Sequence, residues 1–248
     1  MYHIQIKMDL KTQEIINLAK KNSTDFIVGN RNSIKLMNYE GKILSIKTFK
    51  TPGFFIGFIY RFFRTSKAKR SYLHAKHLQS KGIGTPNPIG FLENKNSFQL
   101  LDSYYICEHL EADYVFKDLF PLPIEITEPI LKQFAQFCFK MHENGIEFLD
   151  HSPGNTLIKK IDETNFDFCL VDLNRMKFHT TKMSISDRMK NICRITPGIT
   201  FIEIISKEYA RIANLPEQEV FDLLYKHSSE FFKKFDNKKK LKKYLKFK

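Results

Sequence analysis

The chain has 248 residues, a length that allows one large domain or two small lobes around a sizeable core. Hydrophobic residues make up 42% and charged residues 27%, a composition that predicts a soluble globular protein and excludes a disordered one. The net charge of +13 favours an anionic partner, such as nucleic acid, acidic lipid headgroups or a phosphorylated substrate.

The cysteines and the apolar segments restrict where the protein works. The four cysteines are widely spaced and form no C-x-x-C pair, which predicts neither a disulfide framework nor a zinc site and favours a reducing cytoplasm. Charged residues interrupt the first twenty positions, so we expect no secretory signal. The most apolar window, "FFIGFIY" at 54–60, is far shorter than the roughly 20 residues of a membrane span. We therefore expect a soluble protein, or one that lies on a membrane surface.

The first half of the chain is predicted to form an antiparallel sheet with one main helix. Residues 24–50 alternate between apolar and polar positions and contain the turns "GNRNS" and "EGK", a pattern typical of a hairpin. A helix is predicted from about Ser66 to a stop at Gly82. The loop "GTPNPIGFLE" leads into a strand, and "FQLLDSYYICEHL" indicates a second hairpin.

The second half of the chain is predicted to be mainly helical. A helix is expected to begin at 127–129, "TEP", and to end at Asn144–Gly145, with apolar residues at helical spacing between them. The segment "FDFCLVDLNRM" indicates an apolar strand that ends in Asp172, and the residues after Met183 indicate further helices.

This order of elements predicts an α+β fold with two lobes. A sheet half can cover a flat base, and a helical half can serve as a platform for catalysis, as a nucleotide-binding enzyme requires. We predict that residues 1–110 form an N-terminal nucleotide-covering lobe and that residues 111–248 form a C-terminal helical catalytic lobe of one domain.

The segment "EFLDHSPGNTLI" contains the first candidate catalytic residues. Asp150 and Asn155 form the pattern D-x-x-x-x-N after a helix, and Asp172 follows at the end of a strand. A phosphoryl-transfer site needs a carboxylate near the acceptor hydroxyl and oxygen ligands for magnesium. Alone, D-x-x-x-x-N is more often an Asx-rich turn. Together with "LVDLN" at this distance, it favours a phosphoryl-transfer site.

Residues upstream of this segment are candidates for nucleotide binding. Lys47 in "LSIKTF" resembles the V-A-I-K strand whose lysine reaches nucleotide phosphates, although a strand lysine taken alone is usually a solvated edge residue. The turn "GNRNS" could cover phosphates, but with Gly29 as its one glycine it is a weak phosphate loop. The strand and hinge "YYICEHL" are predicted to meet adenine through their backbone, at Glu108 and Leu110.

Taken together, these residues resemble the lipopolysaccharide kinases, the Kdo and heptose kinases of the bacterial inner core. These enzymes are a divergent branch of the protein-kinase-like fold. The resemblance runs from about Val28 to Met176. It rests on the segments "GNRNSIKLMNYEGKILSIK", "SKAKRSYLHAKHLQSKGIGTPNPIG", "YYICEHL", "DHSPGN" and "VDLNR". It implies ATP- and Mg²⁺-dependent phosphorylation of a sugar hydroxyl on a lipid A-linked core saccharide, at the cytoplasmic face of the inner membrane.

The resemblance also implies a role for each candidate residue. Asp150 would be the base or the group that orients the acceptor hydroxyl, and Asn155 and Asp172 would bind magnesium. Lys47 would clamp the phosphates, and Gly29 with its neighbours would form the lid.

One departure from the kinase pattern concerns the partner of Lys47. No Asp or Glu occurs between Gly41 and Leu92, so the helix glutamate that usually orients this lysine is missing. The positions where it would be sought hold Ser71, Leu73 and His74, and His74 or Asp172 is the candidate substitute. In addition, Ser152 stands where protein kinases often have a charge-stabilising lysine.

Two other functions therefore remain open. The missing glutamate suggests a catalytically impaired kinase-like binding protein, and the fold also suits a kinase of another alcohol or of a protein. The positive charge permits nucleic-acid binding, but no nucleic-acid module is recognised, so we expect no specific nucleic acid as partner.

The segment 47–70, "KTFKTPGFFIGFIYRFFRTSKAKR", has two interpretations. Apolar residues beside a cluster of cations suit a surface that contacts an anionic bilayer. Alternatively, the phenylalanines pack inside the small lobe. The lysine-rich C-terminus is expected to be a solvated tail, with electrostatic attraction to a membrane as the alternative.

Overall fold

The computed structural model describes residues 2–28, 32–196 and 198–246. The chain divides into two compact units. The first, here called the N-unit, extends to Glu111 and also contains residues 172–175, whereas the second, the C-unit, contains residues 112–171 and those from Met176 onward. Helices and antiparallel sheets occur together, which confirms the predicted α+β class. No helix in the described residues is long and apolar enough to cross a membrane.

The N-unit consists of one antiparallel sheet and three helices among its described residues. The helices are α1 (Tyr2–Asn22), α2 (Phe54–Phe62) and α3 (Lys67–Ser80). The strands are β1 (Thr24–Val28), β2 (Asn32–Tyr39), β3 (Lys42–Phe49), β4 (Pro88–Lys95) and β5 (Leu100–Glu108). The strand order is β1-β2-β3-β5-β4, so the predicted hairpin β2–β3 lies in the middle of the sheet.

Helix α1 packs on one face of this sheet. Its buried residues Ile15, Ile16 and Ala19 join an apolar cluster with strand residues. These strand residues are Met37, Leu44, Ile46, Tyr104 and Ile106. A Cβ on Gly90 would lie 2.3 Å from the Oγ1 atom of Thr12, so the absence of a side chain on β4 allows α1 to approach. The sequence analysis did not predict this helix, because charged residues interrupt its apolar positions.

Helix α3 packs on the opposite face, the face that carries Lys47. Lys47 and Phe91 both pair with Tyr105, and the ring of Tyr72 on α3 lies 5.5 Å from the ring of Phe91. The helix begins where predicted, because the Oγ atom of Ser66 accepts a hydrogen bond of 3.1 Å from the Lys69 amide.

The C-unit contains helices and short strands. Its helices are α4 (Ile124–Glu143), α5 (Ile185–Ile192), α6 (Ile199–Ala213) and α7 (Glu217–Lys246), with a 3₁₀ turn at Phe116–Leu119. Its strands are β6 (Tyr114–Val115), β7 (Ile146–Phe148), β8 (Thr156–Lys160), β9 (Phe166–Leu170) and β10 (Met176–Phe178), which form the sheets β6-β8-β9 and β10-β7. The helices predicted after Met183 are confirmed.

Several predicted elements differ from the structure. Residues 98–110 are not a hairpin: β5 is one continuous strand that pairs with β3 and β4 on its two sides. The polar residues Asp102 and Ser103 lie inside this strand, where Ser103 is buried. Helix α4 begins at Ile124, after Pro123, and Pro129 lies within it. The apolar window at 54–60 forms most of α2.

Two buried histidines of the C-unit lie next to the candidate catalytic loop. His142 accepts a hydrogen bond from the Tyr209 hydroxyl at 2.9 Å on Nδ1, and its Nε2 donates to Asn191 Oδ1 at 3.2 Å. Burial lowers the pKa of His142 and of His151 to about 3. Both rings are therefore neutral in the folded protein.

We expect these histidines to make the protein less stable in mild acid. A pKa below the unfolded value of 6.5 means that the unfolded chain binds more protons, so the stabilisation is complete above about pH 6.5 and is lost as the pH falls towards 3. Each ring contributes up to about 1.4 kcal/mol per pH unit within this window. Between about pH 6.5 and about pH 5, the free energy of unfolding measured in urea should fall less steeply with decreasing pH in His142→Gln than in the unsubstituted protein.

The exposed residue Lys140 on the same helix provides the control. Lys140→Gln should leave the pH dependence of the unfolding free energy unchanged. Equal slopes in His142→Gln and in the unsubstituted protein would show that His142 does not titrate as its burial requires.

Candidate active site

In the N-unit, Lys47 forms an ion pair with Asp172. Lys47 Nζ lies 2.7 Å from Asp172 Oδ1, and the two side chains are 14% and 28% exposed. Strand β3 places Lys47 on the α3 face, where its ammonium group also lies 5.5 Å from the ring centre of Phe49. Because the pair is largely shielded from water, its attraction is screened less than that of a surface pair. The structure thus brings these two predicted site residues together.

Asp172 has an unusual backbone conformation. Its φ angle is +59°, in the left-handed region that residues other than glycine rarely adopt. Strand β9 therefore ends at Leu170, and the predicted extension of the strand to Asp172 is wrong. The carboxylate also accepts a hydrogen bond of 2.6 Å from Asn174 Nδ2. Backbone strain of this kind persists where surrounding contacts fix the residue, as they often do at functional sites.

His74 on α3 holds the segment that contains Asp172. Its Nδ1 lies 2.6 Å from the carbonyl oxygen of Leu173. Burial lowers the pKa of His74, so the ring is neutral at neutral pH and Nδ1 carries the proton that it donates. Of the two candidate substitutes for the missing glutamate, Asp172 contacts Lys47 directly, whereas His74 positions the neighbour of Asp172.

In the C-unit, Asp150 and Asn155 lie in one hydrogen-bonded loop. Asn155 Nδ2 donates to the Asp150 carbonyl at 2.9 Å, and the Val171 amide donates to the Asn155 carbonyl at 3.0 Å. The loop is anchored to α5, because Asn191 Nδ2 donates to the Phe148 carbonyl at 2.9 Å. Since Asn155 Nδ2 makes this hydrogen bond, its Oδ1 atom is not used by the contact with Asp150.

Arg194 is a candidate functional residue that the sequence analysis missed. Its Nη1 lies 2.9 Å from Asp150 Oδ1, and its guanidinium group lies 5.4 Å from the ring centre of Phe231 on α7. Its side chain is 32% exposed. Arg194 therefore supplies a positive charge at Asp150, in the loop that also contains Ser152. No motif surrounds this arginine, so its role is visible only in the folded chain.

The remaining predicted residues are less well defined. Glu108 ends β5, where its side chain pairs with Lys42 and its amide donates to the Asn87 carbonyl at 2.9 Å. The side chain and the amide of Glu108 are thus both engaged, and a backbone contact of Glu108 with adenine stays a prediction. Leu110 follows in a segment without regular secondary structure. Gly29 lies outside the described residues.

Two of the candidate residues carry oxygen atoms of the kind that magnesium binds. Magnesium prefers oxygen ligands and is usually held by one or two carboxylates together with water and phosphate oxygens. One carboxylate, Asp172, and one amide oxygen, Asn155 Oδ1, fit this preference. The described residues contain no cluster of three or more His, Cys, Asp or Glu side chains that could hold a metal ion. Each of the two residues therefore fits magnesium by its own chemistry, and water and phosphate oxygens would supply further ligands.

The chain matches a known protein family and resembles a solved structure. The model of the lipopolysaccharide kinase (Kdo/WaaP) family matches residues 58–214. A solved structure of WaaP in complex with acyl carrier protein is similar to this chain with a TM-score of 0.60 and 15% sequence identity. The similarity covers 88% of this chain and 90% of that one, which confirms the predicted protein-kinase-like fold. No curated protein matches.

We expect His74 to contribute to the stability of the N-unit. His74→Ala removes the donor to the Leu173 carbonyl and should lower the free energy of unfolding by about 1 kcal/mol in a urea titration. His74→Gln keeps a donor and should recover part of the loss. Leu73→Ala, at the exposed neighbouring position, is the control. If His74→Ala and Leu73→Ala are equally stable, the hydrogen bond to Leu173 does not hold the segment.

Proposed function

Because the chain belongs to the lipopolysaccharide kinase (Kdo/WaaP) family, we propose that it is an ATP-dependent kinase that phosphorylates a sugar hydroxyl of the lipopolysaccharide inner core, on Kdo or heptose. The observation that supports this most is the Lys47–Asp172 ion pair of 2.7 Å, because a kinase of this kind needs a cation for the nucleotide phosphates and a carboxylate for the metal. Asp150 and Asn155, joined in one loop, add the acceptor side of the reaction.

In this proposal each residue of the chain has one task. Asp150 orients the acceptor hydroxyl and takes its proton as the oxygen attacks the terminal phosphorus of ATP. Lys47 binds the phosphates, and Asn155 and Asp172 would hold magnesium. When bound, the metal neutralises charge on the phosphates. Because phosphoryl transfer depends mainly on positioning and electrostatic stabilisation, the proposal assigns these side chains positioning and charge-stabilising tasks.

The nucleotide contacts complete the proposal. The backbone at Glu108 and Leu110 would receive the adenine ring, and Gly29 with its neighbours would cover the phosphates. The product would be a phosphorylated core saccharide and ADP.

The proposed substrate is attached to a lipid, so the proposed location is the cytoplasmic face of the inner membrane, with peripheral contact to its anionic surface. The similar WaaP structure contains acyl carrier protein, and we include such a carrier as a second candidate partner for this chain.

A catalytically impaired binding protein is the alternative that a specific observation favours. Helix α3 contains no carboxylate, and Lys47 is paired with a group that is also a candidate metal ligand. Thermal unfolding in the presence of magnesium and ATP separates the cases in part. Stabilisation without phosphoryl transfer to any saccharide acceptor would favour this alternative, and transfer to another alcohol or to a protein would redirect the proposal.

Replacing either carboxylate of the site should abolish most of the activity. We expect Asp150→Ala and Asp172→Ala each to lower phosphoryl transfer from labelled ATP to Kdo- or heptose-containing acceptor by at least ~10²-fold. Asp167→Ala, at an exposed position of β9, should have normal activity. Retained turnover in both site variants would refute the enzyme assignment.

The acceptor can be identified in cells. Mass spectrometry of lipid A–core from cells with and without the gene should show one phosphate missing from a core sugar in the second case. Complementation with Asp150→Ala should leave the phosphate missing, and complementation with Asp167→Ala should restore it.

Arg194 should matter for turnover more than for nucleotide binding. Arg194→Gln removes the positive charge 2.9 Å from Asp150, and we expect kcat to fall by roughly 10-fold or more while the KM for ATP changes little. Arg194→Lys should recover part of the rate. Lys190→Gln removes a charge from the exposed face of α5 and serves as the control. Unchanged kcat in Arg194→Gln would leave Arg194 without a role at Asp150.

A further inference from the structure

Helix α2 exposes a large apolar surface. Seven apolar side chains of this helix and its C-terminal neighbour are between 37% and 79% exposed, and we call them the aromatic face. They are Phe54, Phe55, Ile56, Phe58, Ile59, Phe62 and Phe63. Three of the rings contact each other, since the Phe58–Phe62, Phe58–Phe63 and Phe62–Phe63 centres are 4.8, 6.1 and 6.5 Å apart. Contiguous apolar patches of this kind on a soluble unit mark sites of interaction.

The packing of α2 turns this face outward. Gly57 is the buried residue of the helix, and a Cβ there would lie 3.0 Å from the Leu100 carbonyl oxygen on β5. At 100° per residue, Phe55, Ile59 and Phe62 lie on the side opposite Gly57. The phenylalanines at 54–63 therefore do not pack inside the N-unit, which decides against the second interpretation for this part of the segment 47–70, whereas Phe49 is buried.

Cations surround a cavity beside the aromatic face, and we call them the basic collar. The cavity has a volume of about 290 Å³, and its wall includes the cations Arg61, Arg64, Lys69 and Lys95. Arg64 lies 5.7 Å from the ring centre of Tyr60, and Arg61 Nε donates to the Asn96 carbonyl at 3.1 Å. The one carboxylate of the wall, Glu93, is paired with Lys95 at 2.7 Å. The wall therefore carries a net positive charge.

We propose that α2 is the membrane anchor of this protein. The aromatic face enters the acyl-chain boundary of an anionic phospholipid bilayer, and the basic collar binds the phosphates of the headgroups. Nine residues of α-helix span about 13.5 Å, too short to cross a bilayer, so α2 lies along its surface. Binding then combines burial of apolar area with attraction between the collar and anionic lipid.

The charge pattern favours a bilayer over a second copy of the chain. Two aromatic faces meeting each other would bring two basic collars together, and no Asp or Glu between Gly41 and Leu92 is available to neutralise them. A lipid surface supplies both the apolar layer and the negative charge at the right depth. Membrane binding by α2 does not depend on the proposed function. Only the purpose of the anchor, which is to bring the kinase to a lipid-linked acceptor, rests on that function.

The sequence contains no tryptophan, so one introduced tryptophan reports on one position. In Phe55→Trp, we expect the emission to shift to the blue when vesicles of phosphatidylethanolamine and phosphatidylglycerol are added, and brominated lipid to quench it. Salt should weaken the response because it screens the collar. Ile161→Trp places the probe on an exposed apolar position of the C-unit and should show no shift.

Substitutions then separate the two parts of the anchor. Phe55→Ser with Phe63→Ser should lower vesicle partitioning by at least ~10-fold, and Arg64→Ala or Lys69→Ala by about 5-fold each on anionic vesicles only. Ile161→Ser and Lys117→Ala are the matched controls. In the variants of the aromatic face and of the basic collar, turnover on a detergent-solubilised acceptor should be unchanged, whereas turnover on acceptor in vesicles should fall.

Two outcomes would overturn the proposal. One is the absence of any vesicle response in Phe55→Trp at low salt while the variant is folded and stabilised by ATP. The other is a blue shift with purified acyl carrier protein and none with vesicles, which would assign α2 to a protein partner. Vesicle binding by a protein without kinase activity would support the anchor and refute the proposed function, so the two can fail separately.

Discussion

The ion pair between Lys47 and Asp172 determines how the candidate residues of the N-unit are arranged. A lysine that is only 14% exposed needs a neutralising partner, because an unpaired charge in such surroundings is costly. Helix α3 contains no Asp or Glu that could pair with Lys47. The partner comes instead from a segment of four residues, 172–175, that belongs to the N-unit although the residues before and after it belong to the C-unit. The left-handed backbone at Asp172 and the hydrogen bond from His74 to Leu173 keep this segment in place.

The same pair gives a physical reading of the missing helix glutamate. In the usual kinase pattern, a helix glutamate pairs with the lysine, and a different carboxylate, an aspartate, binds the metal. In this chain Asp172 pairs with Lys47, and in the proposed function the same carboxylate also binds the metal. In the proposed function, each member of the pair would gain a partner of opposite charge, Lys47 the phosphates of ATP and Asp172 the metal. The pair would then prepare the site electrostatically without a further residue from α3.

The sequence predicted those features whose signal is local. Helix α3, the β2–β3 hairpin and the helices after Met183 follow from caps, turns and apolar spacing, and the D-x-x-x-x-N pattern singled out a loop whose two ends are hydrogen-bonded. Features that depend on tertiary contacts were missed. The sequence of helix α1 has only a narrow apolar stripe, and its close packing at Gly90 of β4 is a tertiary contact. Arg194 reaches Asp150, 44 residues earlier in the chain, only in the folded protein. The strand β5 was misread because polar residues inside a central strand resemble a turn.

One property of the sequence links the site to the surface of α2. The absence of Asp and Glu between Gly41 and Leu92 compels Lys47 to find its carboxylate outside this stretch. It also leaves the arginines and lysines around α2 without acidic neighbours of their own, apart from Glu93 just beyond the stretch. Such a concentration of positive charge opposes compact folding through self-repulsion, and exposed phenylalanines favour aggregation. An anionic bilayer would relieve both costs at once, because it neutralises the cations and covers the rings. A kinase whose acceptor is fixed in that bilayer would gain from an N-unit with this unbalanced composition.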